Sequence, residues 1–261
     1  MIQPLAYIHP DARLGNRVIV DPFVTIHGDV VIGEGTWIGS NVTIMDGARI
    51  GKECMIFPGA VISAIPQDLK YGGEKTTVEI GDFVTIRECV TINRGTSDRM
   101  KTVVGDHSLL MAYTHVAHDC IVGQHCIVAN AVNMAGHVVV DDYARIGGVS
   151  AIHQFVRIGR HSMVSGGSLV RKDVPPYVKA GREPLSYVGI NSVGLRRAGY
   201  SNEKINEIQE VYRFLFLNDL NTSKALAEIE AKMPSTPERD EIILFIQNAK
   251  RGIMRGYSSE E

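Results

Sequence analysis

The sequence predicts a mainly β protein: a solenoid of short parallel strands followed by a small α-helical C-terminal domain. Three observations carry this. From Ile8 to Val170 an Ile, Leu, Val or Met returns at every sixth position, filling 25 of 28 places in the series. Those four types are a minority of ordinary chains, so chance does not produce the run. Two positions before many of these residues sits a small or β-branched one, among them Ala12, Val24, Thr36, Ala48, Ala60, Thr114, Ala144 and Ser162. Beyond Val170 the six-residue period stops and helical spacing takes over.

Residues two apart on a strand share a face, so both columns point inward, a large side chain beside a small one. Glycine or a polar turn former often follows the aliphatic position (Gly15, Gly33, Gly51, Gly105, Gly123, Gly147), which suits a corner. Neither a 3.6 nor a 2.0 period gives this pattern. Three strands and three corners make a triangular coil of about 18 residues, stacked at about 4.8 Å. The solenoid is expected over 1–176. It is interrupted near 63–79 and 93–103, where the count stays a multiple of six, so both segments can leave and rejoin the coil in phase. Loops held out from a rigid scaffold commonly carry binding residues.

The segment Asp173-Val174-Pro175-Pro176-Tyr177 ends the pattern, because two prolines cannot extend a ladder. Residues 177–261 then read as an irregular stretch and a helical domain. Ser201 caps a helix with Ile205, Ile208, Val211, Tyr212 and Leu215 on one face. A second helix is expected from Ser223 to Met233. Thr236-Pro237 opens a third, to about Arg251.

A net charge of −2 offers no basic field for nucleic acid. No uninterrupted apolar run reaches membrane-spanning length and no signal pattern opens the chain, so a cytoplasmic protein without stable membrane insertion is expected. The four cysteines have no C-x-x-C spacing. Cys54, Cys120 and Cys126 fall in the small inward column and read as buried thiols, not as a disulfide or zinc set.

The 18-residue coil is also a ruler. One coil on from His118 is Gly136, beside His137; two coils on is Gln154, beside His153. His118, His137 and His153 should therefore form a column on one side of the prism, with His115 around the corner or on the adjacent edge. A stacked histidine cluster on an outer face is not needed for packing and marks a candidate site.

The hexads resemble those of the hexapeptide-repeat proteins, whose fold is a left-handed parallel β-helix. That hand is implied by the resemblance; the repeat does not establish it. Longer strings narrow the likeness: Gln67-Asp68-Leu69-Lys70-Tyr71, Ile92-Asn93-Arg94-Gly95-Thr96, His115-Val116-Ala117-His118-Asp119-Cys120, Ala135-Gly136-His137-Val138 and His153-Gln154-Phe155. Together with the Asp-Val-Pro-Pro-Tyr segment they resemble the acyl-carrier-protein–UDP-N-acetylglucosamine O-acyltransferase family of lipid A synthesis, over essentially the whole chain. The related N-acyltransferase family carries a domain before its coils, whereas here the coils start by Ile8.

The resemblance implies transfer of a 3-hydroxyacyl group from acyl carrier protein to the glucosamine 3-hydroxyl of UDP-N-acetylglucosamine, in a homotrimer with sites between subunits and with no cofactor or metal. It makes His118 the general base, Asp119 its orienting partner and the Gly136 N–H the oxyanion donor; a histidine suits a base at neutral pH. It assigns Asp68 and Lys70 to the sugar nucleotide, and His115, His137, His153 and Gln154 to the cleft. Asn191 and Arg197 match uridine-diphosphate contacts. Gly166 matches a position that limits acyl length, and a glycine leaves room for a long chain. Between Asn191 and Arg197 the family often has Glu where this chain has Val193, which leaves a 3-amino sugar open as acceptor. Two rivals stand beside this reading: a γ-type carbonic anhydrase with three zinc-binding histidines, and a non-catalytic solenoid. Basic residues such as Arg171, Lys172, Arg251 and Arg255 could meet an acidic carrier.

Overall fold

The structure is a computed structural model that describes residues 1–217 and 221–256. Strands of mostly two residues form three parallel sheets of nine, eight and ten strands, each built from every third strand in the chain except for the last two strands of the ten-stranded sheet. We call them the first, second and third faces; they begin with Tyr7–Ile8, Arg13–Leu14 and Ile19–Val20 respectively. The last strand of the third face is antiparallel to its neighbour. Tyr7 pairs with Thr25 and Ile8 with Ile26, a register of 18 residues that recurs along the stack.

Every aliphatic residue of the six-residue series from Val20 onward is buried, and Ile8 and Leu14 at the open end are partly so. The small column is inward too: Thr36, Ala48, Cys54, Thr114, Cys120, Cys126 and Ser162 are all buried. Each inward Ile or Leu contributes about 1.5–3 kcal/mol by leaving water. The cysteines are free. Burial pushes the Cys54 thiol up to about 11 and the Cys120 and Cys126 thiols up to about 12, so these are inert packing groups.

Both interruptions are in-phase excursions from a single edge, the corner between the first and second faces. Thr91 lies 30 positions after its partner Val61, where 18 is the rule, so 12 residues leave the coil between Val61–Ala64 and Thr77–Ile80. His115 lies 24 positions after Thr91, so six residues leave between Thr91–Asn93 and Lys101–Val104.

The edge between the second and third faces carries a ladder of stacked rings: Phe83, His107, His125, Tyr143 and His161, at centroid spacings of 4.7–4.9 Å. All five adopt positive φ, between 53° and 61°, at equivalent corner positions. Left-handed backbone is unfavourable for bulky residues, and ring-on-ring packing along the whole edge offsets it.

The C-terminal region departs from expectation in three places. The sheet continues past residue 176 on a shortened coil: Val174 bridges Ile158, and Val178–Gly181 pairs with Met163–Val164 only 16 residues on. The two prolines tighten the corner without ending the stack. The stretch read as irregular holds a second strand, Ser186–Ile190, antiparallel to Val178–Gly181, and a short helix α1 (Ser192–Arg197). Helices α2 (Asn202–Leu217) and α3 (Thr222–Lys232) match the helical spacing, and Ser201 Oγ accepts the Lys204 N–H as its cap. Helix α4 (Pro237–Gln247) stops four residues short of Arg251, because the Asn248 side chain donates back to the Leu244 carbonyl at 2.9 Å. The freed segment returns to the solenoid, where Ile253 bridges Asp173 and Arg255 bridges Ser186. Tyr212 donates to the Pro176 carbonyl at 2.6 Å and Tyr177 to Glu241, tying helices to the top coil. Among the described residues no helix is long and apolar enough to cross a membrane.

Candidate active site

The 18-residue register brings the predicted histidines onto the edge from which both excursions leave. His137 N–H donates to the His118 carbonyl and Phe155 N–H to the Gly136 carbonyl, so His118, Gly136 and Gln154 stack in one column and Asp119, His137 and Phe155 in the next. The His137 ring stacks on Phe155 at 4.5 Å and meets His118 edge-on at 5.1 Å.

His118 and Asp119 form a buried dyad. His118 Nδ1 lies 2.8 Å from Asp119 Oδ2. Asp119 also accepts the Thr96 hydroxyl at 2.6 Å and the backbone N–H groups of Thr96 and Arg99, all from the shorter excursion. Burial alone would raise its pKa, but the hydrogen bonds from Thr96, His118 and Arg99 outweigh it and hold the carboxyl below its usual range. An ionised carboxylate only accepts, so His118 Nδ1 carries the proton and the Nε2 lone pair is left for a substrate. Nε2 faces the longer excursion, where Asp68 Oδ2 stands 3.9 Å away.

Gly136 is required by this packing. A Cβ there would come within 2.5 Å of His118 Cε1 and 2.6 Å of Nε2, which no side chain can do without displacing the imidazole. Among the described residues the Gly136 N–H has no hydrogen-bond partner. A free backbone donor thus lies beside the free imidazole nitrogen.

Burial favours the neutral form of two neighbouring histidines, His115 and His137. Burial, reinforced for both by the nearby His118, pushes the pKa of His115 and His137 down; for His137 the carboxylates of Asp119 and Asp98 oppose this in part. His115 Nδ1 pairs with the Thr91 hydroxyl at 2.7 Å. Asp98 approaches His137 Nδ1 to 3.1 Å, at an angle that makes no hydrogen bond. His153 and Gln154 lie two coils further along the same edge; His153 is exposed, its ring against the Gln154 carbonyl. Lys70 is exposed on the longer excursion, its backbone N–H held by Asp68.

His118, Asp119 and His137 offer ligand atoms within 4.8 Å of one another, a spacing that a metal could use. The Asp119 oxygens, however, are already taken by Thr96, Arg99 and His118, so the geometry is that of a hydrogen-bonded dyad.

Three predicted residues lie elsewhere in the chain. Asn191 and Arg197 sit on the ring-ladder edge, lining a cavity with His107, His125, Tyr143 and His161. The Asn191 amide is engaged in structure: its oxygen caps α1 at Gly194 N and its nitrogen donates to the His161 carbonyl. Arg197 is exposed at the end of α1, and Val193 is exposed on the same helix. Burial and the adjacent Arg160 and Arg145 lower the His161 pKa to about 4. Gly166 is on the third edge, where a Cβ would press within 3.1 Å of the Gly148 carbonyl. Sequence reasoning missed Thr96 and Arg99 as holders of Asp119. The signal was the in-phase interruption itself, which placed their loop on the solenoid without saying which coil it would touch.

A solenoid of hexapeptide coils with a buried His–Asp dyad and a free backbone N–H on one edge defines an acyltransferase of the hexapeptide class. The hexapeptide transferase model matches residues 29–64 and 101–136, and a model described as UDP-N-acetylglucosamine O-acyltransferase, domain 2, matches residues 173–254. The chain belongs to the acyl-[acyl-carrier-protein]–UDP-N-acetylglucosamine O-acyltransferase family. It is 43% identical to the enzyme of that name from Ectopseudomonas mendocina and 40% identical to that from Thiobacillus denitrificans, each over 97% of this chain and 99% of the relative. The UDP-N-acetylglucosamine acyltransferase structure from Bacteroides fragilis superposes with a TM-score of 0.96 at 53% identity, over 98% of this chain and 100% of that one. That from Francisella novicida gives 0.95 at 38% identity, over 99% and 95%. The solenoid is therefore the left-handed β-helix of this family.

Proposed function

We propose that this protein transfers a 3-hydroxyacyl group from acyl carrier protein to the glucosamine 3-hydroxyl of UDP-N-acetylglucosamine, with His118 as general base and without an acyl-enzyme or a cofactor. The observation that carries the mechanism is the dyad beside Gly136: His118 Nδ1 held at 2.8 Å by Asp119, with Nε2 open toward a position that only glycine fits. His118 Nε2 takes the proton of the sugar hydroxyl as its oxygen attacks the thioester carbonyl. The Gly136 N–H stabilises the negative charge gathering on the carbonyl oxygen. The tetrahedral adduct then collapses, the carrier thiolate leaves, and the imidazolium returns the proton to it. Asp119 stays ionised throughout and stabilises the imidazolium.

His115 and His137 can donate to and accept from sugar hydroxyls in their neutral form, Asp68 faces the same space from the longer excursion, and Lys70 is exposed two residues on. Arg197 has no ion-pair partner among the described residues, and its guanidinium suits a diphosphate. Its position on a different edge from His118 supports a homotrimer in which the nucleotide half of one prism meets the histidine edge of the next. The absence of a membrane-spanning helix among the described residues accords with work in the cytoplasm.

The test is an acyl-transfer assay with UDP-N-acetylglucosamine and 3-hydroxyacyl carrier proteins of increasing length, read by product mass. A single acyl addition is expected, favouring long chains. Replacing His118 with Ala should lower turnover by about 10²–10⁴-fold, the ordinary contribution of a general base, with folding unchanged. Near wild-type turnover in that variant would remove His118 from the mechanism. Product only with a 3-amino sugar nucleotide would reassign the acceptor, as Val193 allows.

A further inference from the structure

The catalytic edge continues upward to a basic cleft that the reaction above does not use. Along the first face, the strand His115–Val116 is followed by Asn133–Met134, Ala151–Ile152 and Leu169–Val170, each paired with the one below. Arg171 follows Val170 as His153 follows Ile152, and His153 N–H donates to the Val170 carbonyl. Arg171 and Lys172 therefore open the corner that stacks over His153 and Gln154. That corner is three coils above His118, about 14 Å at the ordinary strand spacing.

The returning C-terminal segment completes the cleft. Ile253 and Arg255 bridge Asp173 and Ser186, which places Arg255 on the same opening as Lys172, of about 350 Å³. Its lining joins three exposed cationic side chains, Arg171, Lys172 and Arg255, to the apolar Leu169, Pro184, Leu185 and Met254. No carboxylate lines it among the described residues. Glu183 reaches Arg171 at 3.3 Å across the surface, an exposed pair that leaves most of the charge available. Lys172 and Arg255 are exposed and have no acidic partner among the described residues.

We propose that this cleft docks the acidic surface of the acyl carrier protein, with the phosphopantetheine phosphate at the Arg171–Lys172–Arg255 rim and the arm running down the edge to Gly136 and His118. The proposal rests on the acyl-transfer reading and names the surface that presents its donor. A basic rim with no carboxylate among its described lining residues complements an acidic carrier protein. An extended pantetheine arm is long enough to cross three coils, so the thioester arrives at the dyad while the carrier stays outside the prism.

The test compares two donors on wild-type enzyme, Lys172→Gln and the double variant Lys172→Gln/Arg255→Gln. One donor is the 3-hydroxyacyl carrier protein, the other the same acyl group on free pantetheine. The double variant should raise KM for the carrier donor about 10-fold or more and flatten its salt dependence, since rim charges act mainly on encounter. Its kcat, its KM for UDP-N-acetylglucosamine and its rate with acyl-pantetheine should match wild type. The single variant keeps the question open to measurement if the double one misfolds, and a rise of severalfold is expected there. An unchanged carrier KM in both overturns the docking surface while leaving the acyl-transfer reading intact. Wild-type enzyme that transfers from neither donor overturns both. Unchanged carrier KM with lost pelleting on phosphatidylglycerol–phosphatidylethanolamine vesicles would assign the rim to a lipid surface and likewise overturn the proposal.

Discussion

Asp119 is the most constrained residue of the site, and Thr96 is what constrains it. The Thr96 hydroxyl and N–H, the Arg99 N–H and His118 converge on one buried carboxylate, while the Arg99 side chain holds the Asp119 carbonyl at 2.8 Å. Its pKa in the folded chain lies below that of the unfolded chain, about 3.9 for a free Asp. The sign follows: the carboxylate's contribution to stability is fully present above pH about 4 and is lost as pH falls through the lower folded value. Replacing Thr96 with Val removes the shortest of these bonds and no substrate contact. The Asp119 pKa should rise toward its ordinary value, and acid unfolding should begin at higher pH. A hydrogen bond to a charged group is worth about 1.5–3 kcal/mol. If part of it is felt in the transition state, kcat falls about 10-fold with KM for the sugar nucleotide unchanged. Thr96→Ser should restore both. A Thr96→Val enzyme with wild-type kcat and acid stability would show that the clamp is ornamental.

The shorter excursion is the element that delivers Thr96, and its length of six residues makes a clean experiment possible. Deleting residues 94–99 places the inward Ile92 six positions from the inward Val104, as in an uninterrupted coil. The sheet register above and below is unaffected, so this variant should fold and keep its β-sheet circular dichroism while losing at least 10²-fold in turnover, because Asp119 loses its clamp. Deleting five residues should disrupt the solenoid, since a one-residue slip turns every downstream inward side chain outward. Equal stability of the two deletions would contradict the in-phase origin of the loop. The same arithmetic explains what the sequence revealed. Strand existence, register, the inward columns and the His118–Gly136–Gln154 stack follow from a period of six, which is local. The Thr96–Asp119 clamp and the docking of the C-terminal segment follow from contacts between distant segments, for which no period exists, whereas the α4 terminus is set locally by Asn248 on Leu244. Asn248 could have signalled the helix end, but the return of Ile253 to Asp173 had no counterpart in spacing.

At the scale of the whole molecule, the two groups of residues proposed for the site face different ways. His118 and Asp119 lie on the edge between the first and second faces; Arg197, with Asn191 beneath it, lies on the ring-ladder edge. The sequence ruler ordered residues along one edge and could not say that Arg197 sat on another, because the chain leaves the solenoid before reaching it. If a working site combines the two halves, they must come from different copies of the chain, and closed rotational symmetry makes every site equivalent. Complementation reads this directly. A His118→Ala chain would lack the proposed base half and an Arg197→Ala chain the proposed nucleotide half. Co-refolded in equal amounts and mixed at random around a ring, a site is whole only when its base half comes from the second chain and its nucleotide half from the first. That occurs at roughly one site in four, so the mixture should recover up to about a quarter of wild-type turnover from two chains that are each nearly inactive. Sites formed within one chain would recover nothing, because every copy then carries a defect. The recovered fraction thus distinguishes a site shared between neighbouring prisms from one held by a single prism, and it does so in solution.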